Sequence, residues 1–201
     1  MVGRKSLFAN VCSIMVLVLV FAFAAPQNAS AIKFLSFGTG SPAGTYYFIG
    51  AGFSSMVNNA VPGIRVTAES TAASTENGRL LIRGEMDMGL ACMGTFTDLK
   101  KQGLDVDKVR IVAVGHTSDT HWIVRKDSGI KSIFDFEGKT IGVGPAGSAT
   151  LNIWSKKHPE TGWDMPFSKF TPKYLSFTEV TRGLRDKTID AGIIAAGSPL
   201  A

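Results

Sequence analysis

The chain holds only two cysteines, three histidines and three tryptophans among its 201 residues. One cysteine, Cys12, lies inside a long apolar run, so Cys92 stands alone downstream and no intramolecular disulfide forms there. Cys92 sits in Met88-Gly89-Leu90-Ala91-Cys92-Met93. That apolar setting predicts a buried, inert thiol, because a reactive one needs an exposed, electropositive surrounding. His116, His121 and His158 show no metal-ligand spacing with each other or with Cys92, so neither a zinc site nor any other cofactor is expected. No serine stands in a G-x-S-x-G elbow. Charge is also sparse. Residues 1–31 carry two Lys+Arg and no Asp+Glu, which leaves 19 basic against 16 acidic residues beyond them, a net +3 without a basic block. Nucleic acid is therefore excluded as a partner. Past residue 31 no stretch is long and apolar enough to span a bilayer.

What the sequence does have begins at the N-terminus. Arg4 and Lys5 precede an uncharged apolar run from Leu7 to Ala25, followed by Pro26-Gln27-Asn28 and the small triplet Ala29-Ser30-Ala31. A basic start, an apolar centre and an A-x-A site predict a signal peptide over 1–31, cleaved before Ile32, and hence export to the periplasm. The other reading of the run is an uncleaved anchor. Cys12 lies within the run and not just after it, which argues against a lipoprotein.

Strand and helix signals then alternate, which predicts an α/β fold with mainly parallel sheets. Strands are expected at 33–39, 64–69, 88–92, 109–114, 121–125, 140–143 and 191–195, and helices at 45–59, 74–83, 148–157 and 177–187. Ser176-Phe177-Thr178-Glu179 fits a capping box that starts the last helix. Two internal echoes suggest a pair of similar lobes. Leu81-Ile82-Arg83-Gly84-Glu85-Met86-Asp87-Met88-Gly89-Leu90 resembles Leu184-Arg185-Asp186-Lys187-Thr188-Ile189-Asp190-Ala191-Gly192-Ile193. The turn Gly38-Thr39-Gly40-Ser41-Pro42-Ala43-Gly44-Thr45 resembles Gly142-Val143-Gly144-Pro145-Ala146-Gly147-Ser148-Ala149-Thr150.

Both glycine-rich turns lead into helix N-termini, where unpaired N–H groups and the helix dipole favour an anion without any Lys or Arg. Ser41, Thr45, Ser148 and Thr150 add hydroxyl donors. Either turn alone reads equally well as a plain strand-to-helix connection; two at matching places suggest a shared ligand. Neither turn has the Lys of a P-loop, and the first has one residue too many for G-x-G-x-x-G. A further polar cluster, Glu69-Ser70-Thr71-Ala72-Ala73-Ser74-Thr75-Glu76-Asn77, suits an N-cap or a ligand wall. Of Tyr46 and Tyr47, one is expected to pack inward and one to reach a cleft, and Trp122 reads as core or as an aromatic wall.

These motifs in this order resemble the TAXI family, the extracytoplasmic solute receptors of TRAP transporters. They are Gly38-Thr39-Gly40-Ser41…Gly44-Thr45-Tyr46-Tyr47…Gly50, Glu69-Ser70-Thr71…Ser74…Glu76-Asn77, Gly144-Pro145-Ala146-Gly147-Ser148 and Ile189-Asp190-Ala191…Gly197…Pro199. The resemblance implies a two-lobed, type II-like periplasmic binding protein that closes on a small anionic ligand. It further implies capture of a glutamate-like amino acid or dicarboxylate and delivery to TRAP-type membrane permease subunits, with no catalysis. Lobe 1 would span 32–117, a hinge strand region 118–126 and lobe 2 127–196, with a return hinge beginning at 197–201. Ligand-binding residues carried over are Gly40, Ser41, Thr45, Tyr46, Thr71, Ser74 and Asn77 on one side, and Ala146, Gly147 and Ser148 on the other. Three features depart from the family: Ala72 and Ala73 replace paired glycines, Ala91-Cys92-Met93-Gly94 follows the third strand, and the chain stops where relatives turn back, so a C-terminally incomplete chain is expected. The alternatives are a receptor for an ABC importer or sensor kinase, and a secreted α/β enzyme of transferase type using Asp119 or His121 on a small anionic substrate.

Overall fold

A computed structural model of the chain describes residues 31–197, so the signal-peptide reading of 1–31 and the return-hinge reading of 197–201 lie, but for residues 31 and 197, outside the described residues. The first sheet is built from β1 (Lys33–Gly38), β2 (Ile64–Glu69) and β3 (Met88–Gly89), all parallel, in the order β2-β1-β3. Between them run α1 (Thr45–Ala60), α2 (Ser74–Arg83) and, after β3, α3 (Met93–Lys101). Alternation along β1 buries Phe37 and exposes Phe34. Phe37 meets Phe53 of α1 edge-on at 5.2 Å. Asn58 closes the free edge of β2, donating to Val66 O at 3.0 Å and accepting from Val66 N–H at 2.7 Å. Helix α2 ends at Gly84, whose φ of +71° makes the left-handed cap a glycine supplies most easily.

The second sheet has the order β4-β7-β5-β6, with β4 (Asp119–Val124), β5 (Thr140–Gly142), β6 (Thr171–Lys173) and β7 (Ala191–Ala196). Only β4 runs antiparallel, to β7. A π-helix (Thr150–Lys157) continues into α4 (His158–Trp163), and α5 (Phe177–Arg185) follows β6. The capping box is present at α5: Glu179 N–H donates to Ser176 Oγ, and Ser176 N–H to Glu179 Oε2. Its core gathers Phe136, Ile141, Val143, Leu151, Phe170 and Ala191, with Trp122 packed against them. Trp122 lies 5.1 Å from Phe136, so it is a core residue. Val180 of α5 is fully buried over the paired glycines Gly142 and Gly192; a Cβ on Gly192 would come within 2.3 Å of it.

The internal echo has a concrete basis. Asp87 accepts from Ser36 N–H of β1 at 2.8 Å, and Asp190 accepts from Thr140 N–H of β5 at 2.9 Å. Each Asp precedes its strand and pins the neighbouring parallel strand, the same bond made once in each sheet.

Several elements differ from the sequence reading, among them α4, which extends the helix expected at 148–157. The third strand covers two residues, because Cys92 already caps α3, a helix the polar run Thr95-Phe96-Thr97-Asp98 concealed. Residues 171–173 add β6, whose Pro172 argues against a strand in sequence alone. The β-branched run Val109–Val114 pairs with no strand among the described residues; Ile111, Val112 and Val114 are 64%, 94% and 89% exposed. Composition suits it for a sheet, but the described residues bring no strand edge alongside it.

A neutral cleft between the two sheets

From Lys33 onward the chain forms one unit, and a cleft opens between segments that follow the first and the second sheet. Its empty space is about 570 Å³, open solvent at the mouth included. One wall comes from the β1–α1 turn: Gly40, Ser41, Gly44, Thr45 and Tyr46. Beside it stand Ala72, Ala73 and Ser74 at the start of α2, with Cys92 and Ser118. Opposite are Pro145, Ser148, Ala149, Thr150 and Trp154 of the second turn and its helix, completed by Phe177 and Ala195. No Lys, Arg, Asp or Glu appears in the lining.

The three helix N-termini that the sequence singles out at this cleft are not equivalent. At α2, the Thr75 and Glu76 N–H groups both donate to Gly147 O at 3.0 Å, so that end is already closed by a carbonyl from the opposite turn. Asn152 Nδ2 adds a bond to Thr75 Oγ1 at 3.2 Å. At the π-helix, Ser148 is buried and self-contained: its Oγ donates to Pro145 O and accepts from Leu151 N–H. Helix α1 begins without a side-chain cap and without an acidic residue in its first turn, as does α3 after Cys92. Beside α1, Ser41 Oγ is buried and has no protein partner. A bare positive helix end next to an unpartnered hydroxyl is suited to an anion.

Tyr46 turns into the cleft, whereas Tyr47 does not line it. Burial raises the Tyr46 phenol above its ordinary value, opposed by the Ser74 and Ser118 hydroxyls, so it stands as a neutral donor. Its ring meets His116 edge-on at 5.5 Å. His116 Nδ1 lies 2.5 Å from Thr117 O and donates to it. Ser74 Oγ accepts from Cys92 N–H at 3.0 Å, which ties α2 to the start of α3. Trp154 is braced by His158 at 4.6 Å.

Of the ten residues singled out in the sequence, Gly40, Ser41, Thr45, Tyr46, Ser74 and Ser148 meet at this cleft. Thr71, Asn77, Ala146 and Gly147 are not among its lining residues. Asn77 is fully buried and donates to Thr39 O and Leu90 O, both at 2.8 Å; its Oδ1 accepts from Thr71 Oγ1 at 2.7 Å. Ala146 is exposed, and Gly147 meets α2 through its carbonyl. Cys92 corrects the sequence reading: it is a partly exposed lining residue and not core, because it stands at the N-cap of α3, outside the helix's packed face. Trp154, Phe177, Ser118 and Ala195 were missed, and only Trp154, four residues after Thr150, carried a helical spacing signal.

Ala73 stands in a backbone conformation that glycine adopts more readily. Its φ of +71° with ψ of −142° belongs to a region nearly reserved for glycine. Ala73→Gly is expected to raise stability by about 1 kcal/mol, the relieved strain outweighing the extra chain entropy. Urea unfolding of both forms checks this, and an unchanged or lower midpoint would refute it.

Comparison with known proteins places the chain. Residues 37–201 match the NMT1-like family. The fold is similar to that of the alkanesulfonate-binding protein SsuA from Xanthomonas axonopodis pv. citri, at 18% identity and a TM-score of 0.57, over 85% of this chain and 56% of that one. A Bordetella bronchiseptica RB50 protein gives 17% identity and a TM-score of 0.64, over 87% and 54% of the two chains. An ABC uptake transporter substrate-binding protein from Streptococcus pneumoniae, solved with histidine, gives 19% and 0.57, over 81% and 65%. The chain thus spans between half and two thirds of the length of these proteins. The α/β architecture is that of periplasmic solute-binding proteins, while the finer resemblance to TAXI receptors is not what the match returns. The chain belongs to the NMT1-like family.

Proposed function

We propose that the chain is the ligand-capturing part of an exported, non-catalytic solute receptor, and that a small organic anion occupies the cleft. One observation carries the reading: Ser41 Oγ is buried without a partner beside the uncapped start of α1. Such a site offers hydrogen bonds and a helix dipole to a carboxylate or sulfonate head. Tyr46 and Cys92 are the only titratable side chains in the lining, which favours binding over acid–base catalysis; Asp119 and His121 are not lining residues. The two sheets are read as the centres of two lobes, 32–117 and 127–196, joined through 118–126. The bonds of Gly147 O and Asn152 to the start of α2 would then hold the closed form, excluding water from the ligand. As partner, an ABC-type permease is favoured by the name of the Streptococcus pneumoniae protein. A TRAP-type permease is the second reading, motivated by the TAXI-like motifs.

Titration calorimetry with short organic anions tests the proposal. Binding should be saturable for an anion and absent for the matched neutral alcohol. Ser41→Ala should weaken it by about 0.5–1.5 kcal/mol, two- to tenfold, with the melting temperature unchanged. Binding of the alcohol alone, or wild-type affinity in Ser41→Ala, would overturn the anion site.

A further inference from the structure

We infer that the cleft selects organic anions lacking an ammonium group, so that it rejects free amino acids and other zwitterions of the same size. This rests on the receptor reading above and goes on to name the solute class. A zwitterion brings one negative and one positive group into a closed site, and each needs a partner once water is excluded. The negative group is provided for by the uncapped start of α1 and by Ser41 Oγ. The positive group is not, because the lining contains no carboxylate.

The acidic residues nearest in sequence to the lining are engaged or turned elsewhere. Glu76 lies outside the lining and its Oε2 accepts from Ala72 N–H at 2.5 Å. Asp119, next to Ser118, is exposed and sits in the β4–β7 ladder opposite Ala196. Away from the β1–α1 turn the cleft offers Trp154, Phe177, Ala149 and Ala195. A methyl or methylene group fits such a wall, whereas an ammonium loses hydration there without compensation. Two aromatic faces give a cation some attraction, yet this falls short of what an unpaired buried charge costs. The absence of Lys and Arg from the lining also leaves a second negative charge unmatched, which narrows the class to monoanions.

Isosteric pairs isolate the ammonium. Propane-1-sulfonate and taurine differ only by a methyl in place of an ammonium, as do pentanoate and 4-aminobutanoate; the two pairs also separate a sulfonate head from a carboxylate head. Calorimetry on the full chain should show the ammonium-free member of at least one pair binding more than about tenfold tighter than its partner. Ser118→Asp, which places a carboxylate in the lining, should narrow or reverse that ratio; Ala195→Asp is the second placement should the first not fold. Equal affinity within every pair that binds, or tighter binding of the zwitterion, would overturn the selectivity and leave the receptor reading standing. Binding of neither member of either pair would overturn both.

Discussion

Asn77→Ala is expected to cost about 3–5 kcal/mol of folding stability, the largest effect of any single change considered. The side chain is fully buried and uses both amide hydrogens and its oxygen: Thr39 O, Leu90 O and Thr71 Oγ1 are its partners. Those groups belong to the turn after β1, the strand end after β3 and the segment before α2, so one amide joins three pieces of chain. Truncation strands buried acceptors at about 1–3 kcal/mol each and leaves a cavity besides. Urea unfolding should show a sharply lowered midpoint with the slope preserved. A midpoint near wild type, with a large loss of ligand affinity, would restore Asn77 to the ligand-contacting role its motif implies.

Gly147→Asp should abolish measurable anion binding, weakening it by about a hundredfold or more. Gly147 has φ +86°, so any side chain there is strained, although a Cβ finds room at 3.8 Å from Ala72 and Glu76. Its carbonyl is the group that closes the N-terminus of α2. A new carboxylate faces Glu76 and adds negative charge between the lining residues Pro145 and Ser148, beside the proposed anion cleft; such like-charge placement costs several kcal/mol, and 1.4 kcal/mol is tenfold. Gly147→Ala carries the same backbone strain without the charge. Calorimetry on the two variants should therefore separate them by at least about tenfold. Equal affinities would mean that charge at this turn does not act on the ligand.

Much of the fold was legible because it rests on local signals. The helix after Gly44, the glycine stop at Gly84 and the capping box at Ser176 all stand where the sequence puts them. Even the repeated Asp before β3 and before β7 was visible as a pattern, though only the structure shows that each pins a neighbouring strand. The run Val109–Val114 misled because strand propensity describes a residue's fit to a sheet, not whether a partner edge is there. Cys92 misled because apolar neighbours suggest burial, whereas an N-cap position faces outward from its helix.

The cleft was legible to a lesser degree, for a physical reason. Sequence identifies helix N-termini but not what already caps them. Three N-termini looked alike; the structure occupies one with Gly147 O and another with Ser148 Oγ, and leaves only α1 bare. Residues such as Phe177 and Ala195 join the lining by tertiary placement alone, and nothing in their surroundings announces it.

Alkylation of Cys92 is the most direct measurement of whether an anion occupies this cleft. It is the only cysteine beyond the apolar N-terminal run, it is partly exposed, and it lines the cleft with Ser74 and Tyr46. Iodoacetamide modification of Cys92, followed by peptide mass spectrometry, gives its rate with and without propane-1-sulfonate or pentanoate. At ten times the dissociation constant measured by calorimetry, the rate should fall about tenfold, as the fraction of empty cleft falls. An unchanged rate at that saturation would place the anion elsewhere and contradict the account.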